Sequence, residues 1–499
     1  MRSKTPSYCV EFSLQANTRQ WEELNHRFFL AQRVYNCMVR EARRRINAYF
    51  LDKDVKAIQK QRRKKGYMLL QEEKSVFKAK REQYGLSEYA FHGYLTVQAQ
   101  KFRKYLDANT IQKLGTSAWS AASKVLFGKG KVVHFKKYEE LSSLEGKTNI
   151  SGITFRDGCL VWNGLTIPIK VRPNDLYAQS AFHDRIKYCR IMRRWHKNRY
   201  NYYLQIVFEG VPPRKANRKT GKLLHDPKRR TGGVDIGPST VAAVSSAGIV
   251  FQEFADDVGR IDREIAVLLR RLDRQRRANN PQNYDSLGRI KRLKKGERRV
   301  WSYSRRYFET RNQLRTLYRK RTANLKQSHE KLANKILDVV GRDLFVENMS
   351  MSGLAAKSKK DKINPKTGRP AKKKRFGKSI QRHAPAMFIS ILSRKVGYYG
   401  GSVTKINPAA AKASQYNHIQ NTYEKAELSE RWKLLRKGHL VQRDLYSAFL
   451  LANLNKRHTV DRKACQRDYT KFKKQHDILI SALRQEKQNG KSFPACMGI

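Results

Sequence analysis

A chain with 106 lysines and arginines against 42 aspartates and glutamates, a net charge of +64, repels itself strongly unless something anionic neutralises it. Nucleic acid is the fitting partner, because each phosphate neutralised releases a counterion and adds salt-dependent affinity. The basic residues run through the whole chain and not only a detachable tail, so the partner is extensive and enters the protein. A membrane surface is the lesser alternative. With 499 residues, two to four domains are expected, and 39% hydrophobic with 10% aromatic residues suffices for buried cores. No stretch approaches the roughly 18 apolar residues of a membrane span. The opening MRSKTPSYCVEF lacks the apolar core of a signal peptide. Six cysteines, far apart and without a C-x-x-C pair, read as reduced thiols.

Periodicity divides the chain. Tyr8 to Leu14 alternate as a strand; Trp21, Leu24, Phe28, Ala31 and Val34 then recur at helical spacing, and basic helical segments continue to about Phe127. From Val132 to Glu209, short runs such as LTIPIKV and YYLQIVFEG between Gly, Asn and Pro read as a compact β unit. Val211 to Thr231 is a polar, basic linker. Beyond it the texture is α/β: TGGVDIG, VAAVSS, IVFQEF, DLFVEN and SVTKIN as strands, with helical faces at Ile261, Ile265, Leu268, Leu269 and Leu272, at Leu314, Leu317, Leu325, Leu332, Ile336 and Val339, and from Arg443 to Leu454. Lys357 to Lys378, with 11 basic residues in 22, reads as a solvated loop touching phosphate.

Three acids stand out. Asp235 lies inside an apolar strand between Val234 and Ile236, Glu347 closes the strand Leu344-Phe345-Val346, and Asp444 opens the last apolar helix. Unpaired buried acids are costly. Strand ends and helix starts of an α/β sheet can converge on one edge, and three carboxylates gathered there repel unless a cation holds them. Oxygen-rich sites suit Mg²⁺ or Mn²⁺. Two such ions roughly 4 Å apart activate water and stabilise the leaving oxygen in phosphodiester hydrolysis. Taken singly, each acid has a structural reading: turn or cap for Asp235, N-cap for Asp444, an arginine's partner for Glu347. The order Asp, Glu, Asp also differs from that of DDE integrases.

At these residues GVDIGPSTVAAVSS, LFVENMSMSGL and QRDLYSAFLLAN resemble the three RuvC motifs of the TnpB family, RNA-guided nucleases of insertion sequences, and of the related type V CRISPR effectors. The likeness covers most of the chain, including YCVEFSLQANTRQWEELNHRFFLAQRVYN, RIKYCRIMRRWHKNRYNYYLQIVFEG and QRHAPAMFISILSRKVGYYGGSVTKINP. It implies an α/β and α+β multidomain protein. A wedge strand (1–14), a helical recognition insertion (15–127) and a wedge β-barrel (128–212) precede a linker (213–231). Then follow an RNase H-like RuvC domain (232–407, with the basic loop 357–378), a target-nucleic-acid-binding insert (408–440), the third RuvC motif (441–456) and a basic tail (457–499). It also implies guide RNA and duplex DNA with its unwound strands as partners, cleavage at one RuvC site by Asp235, Glu347 and Asp444 holding two Mg²⁺ or Mn²⁺ ions, and a cytoplasmic, nucleoid-associated prokaryotic setting. A monomer is favoured. The alternative is an RNA-guided DNA-binding repressor with lost or weak cleavage; a structural RNA-binding protein is a third reading.

One departure from the family is specific. Asn417 and Gln420 stand where the first cysteine pair of a zinc ribbon would fall, and Leu434 and Lys437 where the second would. Without thiolates, structural zinc has no soft ligands. His418 and His439 cannot complete a site, so the expectation is an insert without structural zinc, packed through Tyr416, Tyr423, Trp432 and Leu434. For nucleic acid, the mixed basic and aromatic run holding Arg190, Arg193, Arg194 and Lys197 suits phosphates and unpaired bases. Arg270, Arg271 and Arg274 fit the lining of a heteroduplex channel; the competing readings are barrel core and a solvated helix face.

Overall fold

The computed structural model describes residues 5–62, 66–196, 199–217, 219–294, 296–356, 363, 368, 376–425, 427 and 429–499. Two compact units divide the chain, Met1–Pro213 and Arg214–Ile499. Among the described residues no helix is long and apolar enough to cross a membrane. No disulfide joins the six cysteines.

In the first unit, strand β1 (Ser7–Leu14) precedes five helices: α1 (Thr18–Leu51), α2 (Lys53–Arg62), α3 (Gln71–Gln83), α4 (Glu88–Gln98) and α5 (Ala108–Leu126). Asn17 starts α1 with a capping box: its side chain accepts the Gln20 N–H at 2.9 Å and the Gln20 side chain accepts the Asn17 N–H at 3.1 Å. Leu24, Phe28, Ala31, Val34 and Met38, spaced at three and four, form its buried face. The strands β2 (Ser143–Glu145), β3 (Thr154–Arg156), β4 (Cys159–Trp162) and β5 (Leu165–Lys170) follow, then helix α6 (Leu176–Ala181) and the long hairpin β6 (Ile186–His196) and β7 (Arg199–Glu209).

These strands form one antiparallel sheet in the order β2-β6-β7-β1-β5-β4-β3. Strand β1 pairs with β7 from Ser7↔Glu209 to Ser13↔Tyr203 and with β5 at its end, so the chain leaves the sheet for five helices and returns. Residues of β5 alternate strictly between buried and exposed, as a half-buried strand requires. With β2 and β3 at its edges, the sheet is a half-barrel.

The second unit is built on a mixed sheet. Its strands are β8 (Thr231–Ile236), β9 (Thr240–Ser245), β10 (Ile249–Glu253), β11 (Asp343–Glu347) and β12 (Ser402–Ile406), in the order β10-β9-β8-β11-β12. The first three are antiparallel; β11 runs parallel to both β8 and β12. Helices α7 (Gly259–Ala278) and α8 (Arg305–Val340) join β10 to β11. After β11 come α9 (Met351–Ala355), α10 (Gly377–His383) and α11 (Pro385–Tyr398), and after β12 the short α12 (Pro408–Ala411). Four short strands, β13 (Tyr416–Asn417), β14 (Thr422–Tyr423), β15 (Trp432–Leu434) and β16 (Leu440–Gln442), precede α13 (Arg443–Ala452) and α14 (Arg462–Gln488).

Every residue of β9 is buried, because each face of the sheet carries its own core. Val241 and Ala243 pack with Leu332 and Ile336 of α8 and Phe388 of α11. Ala242 and Val244 pack with Leu445 and Phe449 of α13 and Phe472 of α14. Residues 457–499, read from sequence as a tail, therefore supply a 27-residue core helix. Nor is the stretch before β8 a bare tether: His225 Nδ1 meets Asp338 of α8 at 2.6 Å and its Nε2 accepts from Asn334 at 2.8 Å. The basic loop 357–378 lies largely outside the described residues.

Gly233 decides how near α13 lies to β8. A Cβ there would stand 2.1 Å from the Ala448 carbonyl oxygen and 2.4 Å from the Ala452 nitrogen, so only a bare backbone admits the helix. Gly233→Ala is expected to destabilise this unit by about 1–3 kcal/mol, the usual range for overpacking, measured by urea unfolding; unchanged stability would show that the helix has room to move.

Candidate active site and nucleic-acid surfaces

Strand register brings two of the acids side by side. Val346 pairs with Val234 across the parallel strands β11 and β8, and the next residues are Glu347 and Asp235. Val234 and Val346 point into the α8–α11 core. Alternation therefore turns Asp235 and Glu347 to the other face, the one that α13 covers. Asp444 lies in the first turn of α13, whose start is capped by the Gln442 side chain.

The electrostatics are those of neighbouring carboxylates. Asp235 is held well above the ordinary carboxylate range, first by burial and then by the charges of Asp444 and Glu347. Burial also raises Glu347 and Asp444. All three keep partial contact with solvent. Arg443 counters part of the rise at Asp235, and Arg431, Gln442 and Arg443 do so at Asp444. The Ser447 hydroxyl, buried on α13 and outside hydrogen-bonding geometry with other groups, is near enough to favour ionised Asp235. None of the three carboxylates forms an ion pair with a described residue, in a chain rich in arginine and lysine.

Hard oxygen donors without an ion-pair partner among the described residues fit a divalent cation in their chemistry. Their spacing is looser: among the described residues, no three His, Cys, Asp or Glu side chains stand where they would hold a metal ion.

The insert is built from two hairpins, β13–β14 and β15–β16. Where thiolates would gather around zinc, Asn417 is fully buried. Its amide donates to Gln420 Oε1 and to the Leu435 carbonyl, both at 3.0 Å, and its oxygen accepts the Ile419 N–H at 3.1 Å. The expected packing needs correction at two positions. Tyr423 and Leu434 are exposed, while Tyr416, Leu435 and Val441 are the buried residues: the chain turns inward one residue beyond the end of β15, at Leu435. His418 is buried against Tyr446, with Nδ1 2.7 Å from its hydroxyl, and burial lowers its pKa to about 4. His439 sits 3.2 Å from the Tyr469 hydroxyl.

The residues expected to meet nucleic acid fall into different environments. Arg193 is 2% exposed, donates to the Leu141 and Tyr138 carbonyls and stacks against Phe28, Tyr138 and Tyr200. It is a core residue and cannot reach a phosphate; position 193 falls on the inward side of β6, where α1 brings Phe28, the turn before β2 brings Tyr138 and β7 brings Tyr200. Arg190 is bound to Glu145, and Arg194 to Glu11. Lys197 lies outside the described residues. Arg270, Arg271 and Arg274 are exposed on α7, whereas Asp273 engages Arg276 and Arg277. Sequence reasoning passed over Arg431, Gln442 and Ser447; a polar residue directly before Arg443-Asp444 was the available signal for Gln442.

No family model matches the chain, and no curated protein does. Among solved structures, a cryo-EM structure of the Cas12f1–sgRNA–target DNA complex is similar at TM-score 0.44 and 11% identity, covering 89% of this chain and 98% of that one. A cryo-EM structure of a CRISPR–Cas12f ternary complex is similar at TM-score 0.25 and 12% identity, covering 90% and 87%.

Two outcomes follow. In metal-free buffer at pH 8, Asp235→Asn should melt a few degrees above the parent chain, because it removes one of three mutually repelling charges; a lower melting temperature would mean that the carboxylate makes a net favourable contact. His418 titrates near 6.5 when unfolded and at about 4 when folded. The neutral ring's contribution is thus complete above the first value and is lost as pH falls through the second, with an upper bound of about 3 kcal/mol. Denaturant titrations between pH 7 and 4 should show that slope, and His418→Phe should flatten it.

Proposed function

We propose that this protein is an RNA-guided DNA endonuclease with one RuvC-type active site formed by Asp235, Glu347 and Asp444. The observation that carries the reading is that three acids lying 112 and 97 residues apart in sequence are all raised by burial, with Asp235 raised further by the charges of the other two, and that none of them has an ion-pair partner among the described residues. Binding alone gives a phosphate-seeking surface no reason to concentrate negative charge. The order of the three RuvC-like segments supports the same assignment.

In this reading the first unit comprises the wedge and recognition regions, and the second the RuvC domain with its target-nucleic-acid-binding insert. Base pairing with a guide RNA would select the target, while the protein reads backbone shape and a short flanking motif in duplex DNA. Arg270, Arg271 and Arg274 supply phosphate contacts. Divalent cations, Mg²⁺ or Mn²⁺, would supply water activation and leaving-group stabilisation when held between the carboxylates. Asp235 and Glu347, fixed on adjacent strands, and Asp444, at the start of a capped helix, hold that position. Cleavage would leave 5′-phosphate and 3′-hydroxyl ends.

The test is to purify the protein with its co-purifying RNA, sequence that RNA, and incubate the complex with a matched, labelled DNA duplex and Mg²⁺. Guide-dependent cutting is expected, and Asp235→Ala should abolish it while leaving the RNA complex intact. Tight, guide-dependent capture of DNA that stays whole would favour the repressor reading. Full cutting by Asp235→Ala would remove the assigned site.

A further inference from the structure

Gln442 is fully buried two residues before Asp444, and each of its polar groups is used. Its backbone N–H donates to His476 Nε2 at 2.9 Å, which places the ring proton on Nδ1, 2.9 Å from Asp477. Its Oε1 accepts the Leu445 N–H at 2.8 Å and caps α13. Its Nε2 donates to the Met497 carbonyl at 3.4 Å. Serine, aspartate and asparagine are the usual residues at a helix start. A longer amide is needed only to cap the helix and reach a second piece of chain together.

That second piece, residues 494–498, touches three parts of the candidate site. Met497 is fully buried in the core between the sheet and α13. Cys496 Sγ lies 3.2 Å from Ser239 Oγ and 4.0 Å from Thr240 Oγ1, at the turn by which the chain leaves the Asp235 strand. The Gly498 carbonyl accepts the Trp432 indole N–H at 3.0 Å. Gly498 has φ +68°, and a Cβ there would stand 2.7 Å from Arg431 Cβ, on the residue whose charge faces Asp444. The segment thus spans from the exit of β8 to the start of α13.

We propose that residues 494–498, acting through Gln442, form a clasp that sets the position of Asp444 relative to Asp235 and so tunes the affinity of the carboxylate site for a divalent cation. Gln442 is a positioning residue. The inference rests on the carboxylate-site reading above. Loss of the amide leaves the Leu445 N–H and the Met497 carbonyl without partners in a buried setting, which frees the first turn of α13 to shift. Groups that orient metal-binding side chains from behind commonly change metal affinity by roughly 10–100-fold when removed.

The test uses the guide-bound protein and two variants, Gln442→Met, which keeps the volume and loses the hydrogen bonds, and Gly498→Ala, which displaces the clasp from Arg431. Mn²⁺ binding is followed through the electron paramagnetic resonance signal of the free ion, alongside guide and duplex affinity and cleavage rate against Mg²⁺ concentration. Both variants should bind guide and DNA as the parent does, need roughly tenfold more Mn²⁺ for half-saturation, and regain the parent rate at high Mg²⁺. Unchanged Mn²⁺ half-saturation in either folded variant would overturn the clasp, leaving Gln442 a structural cap. Absence of Mn²⁺ binding that Asp235→Asn removes from the parent chain would instead overturn the carboxylate site itself, and the clasp's role with it.

Discussion

The burial of three carboxylates, with Asp235 facing the charges of the other two, is the costliest arrangement in the second unit. Like charges in a partly desolvated space raise one another's proton affinity and work against the fold that gathers them. Asp235 meets this cost most fully, since it is pushed up by burial and by both companions. The surroundings offset it only in part, through Arg431, Arg443 and the Ser447 hydroxyl. The fold nevertheless holds the three near one another by rigid means: adjacent parallel strands in register for two of them, and for the third a helix seated against a glycine.

The positive charge is distributed with equal structure. Some arginines belong to the interior. Arg27 donates to the Trp162 and Asn163 carbonyls at 2.8 and 2.9 Å and lies over the Trp162 ring, while Arg193 is enclosed by three aromatic rings. Others pair with the few acids available, as Arg190 does with Glu145. Arg270, Arg271 and Arg274 on α7 have solvent around them, and in the proposed function these are among the charges left to meet phosphate.

Much of this architecture was legible in the sequence because periodicity reports burial directly. Leu24, Phe28, Ala31 and Val34 announced the inner face of α1, and the apolar run VAAVSS announced a strand. The pairing of β1 with strands more than 150 residues later followed from the family resemblance, which assigns 1–14 to the wedge, and not from periodicity. What stayed hidden depended on long-range partners. Arg193 looks like any other arginine in a basic run until Phe28, Tyr138 and Tyr200 are brought around it. The hairpins β13–β14 and β15–β16 are two or three residues long, too short for alternation to show. Residues 457–499 were masked by their charge: the apolar positions Tyr469, Phe472, Ile480 and Leu483 are diluted by lysine and arginine on the outer face of α14.

The central claim is that Asp235, Glu347 and Asp444 share a divalent cation. Crystals of the guide-bound protein grown with Mn²⁺, and measured at the manganese absorption edge, test it most directly. The account predicts an anomalous peak about 2 Å from carboxylate oxygens of Asp235 and at least one of the other two acids. A peak elsewhere, or none at saturating Mn²⁺ with the three side chains still apart, would contradict it.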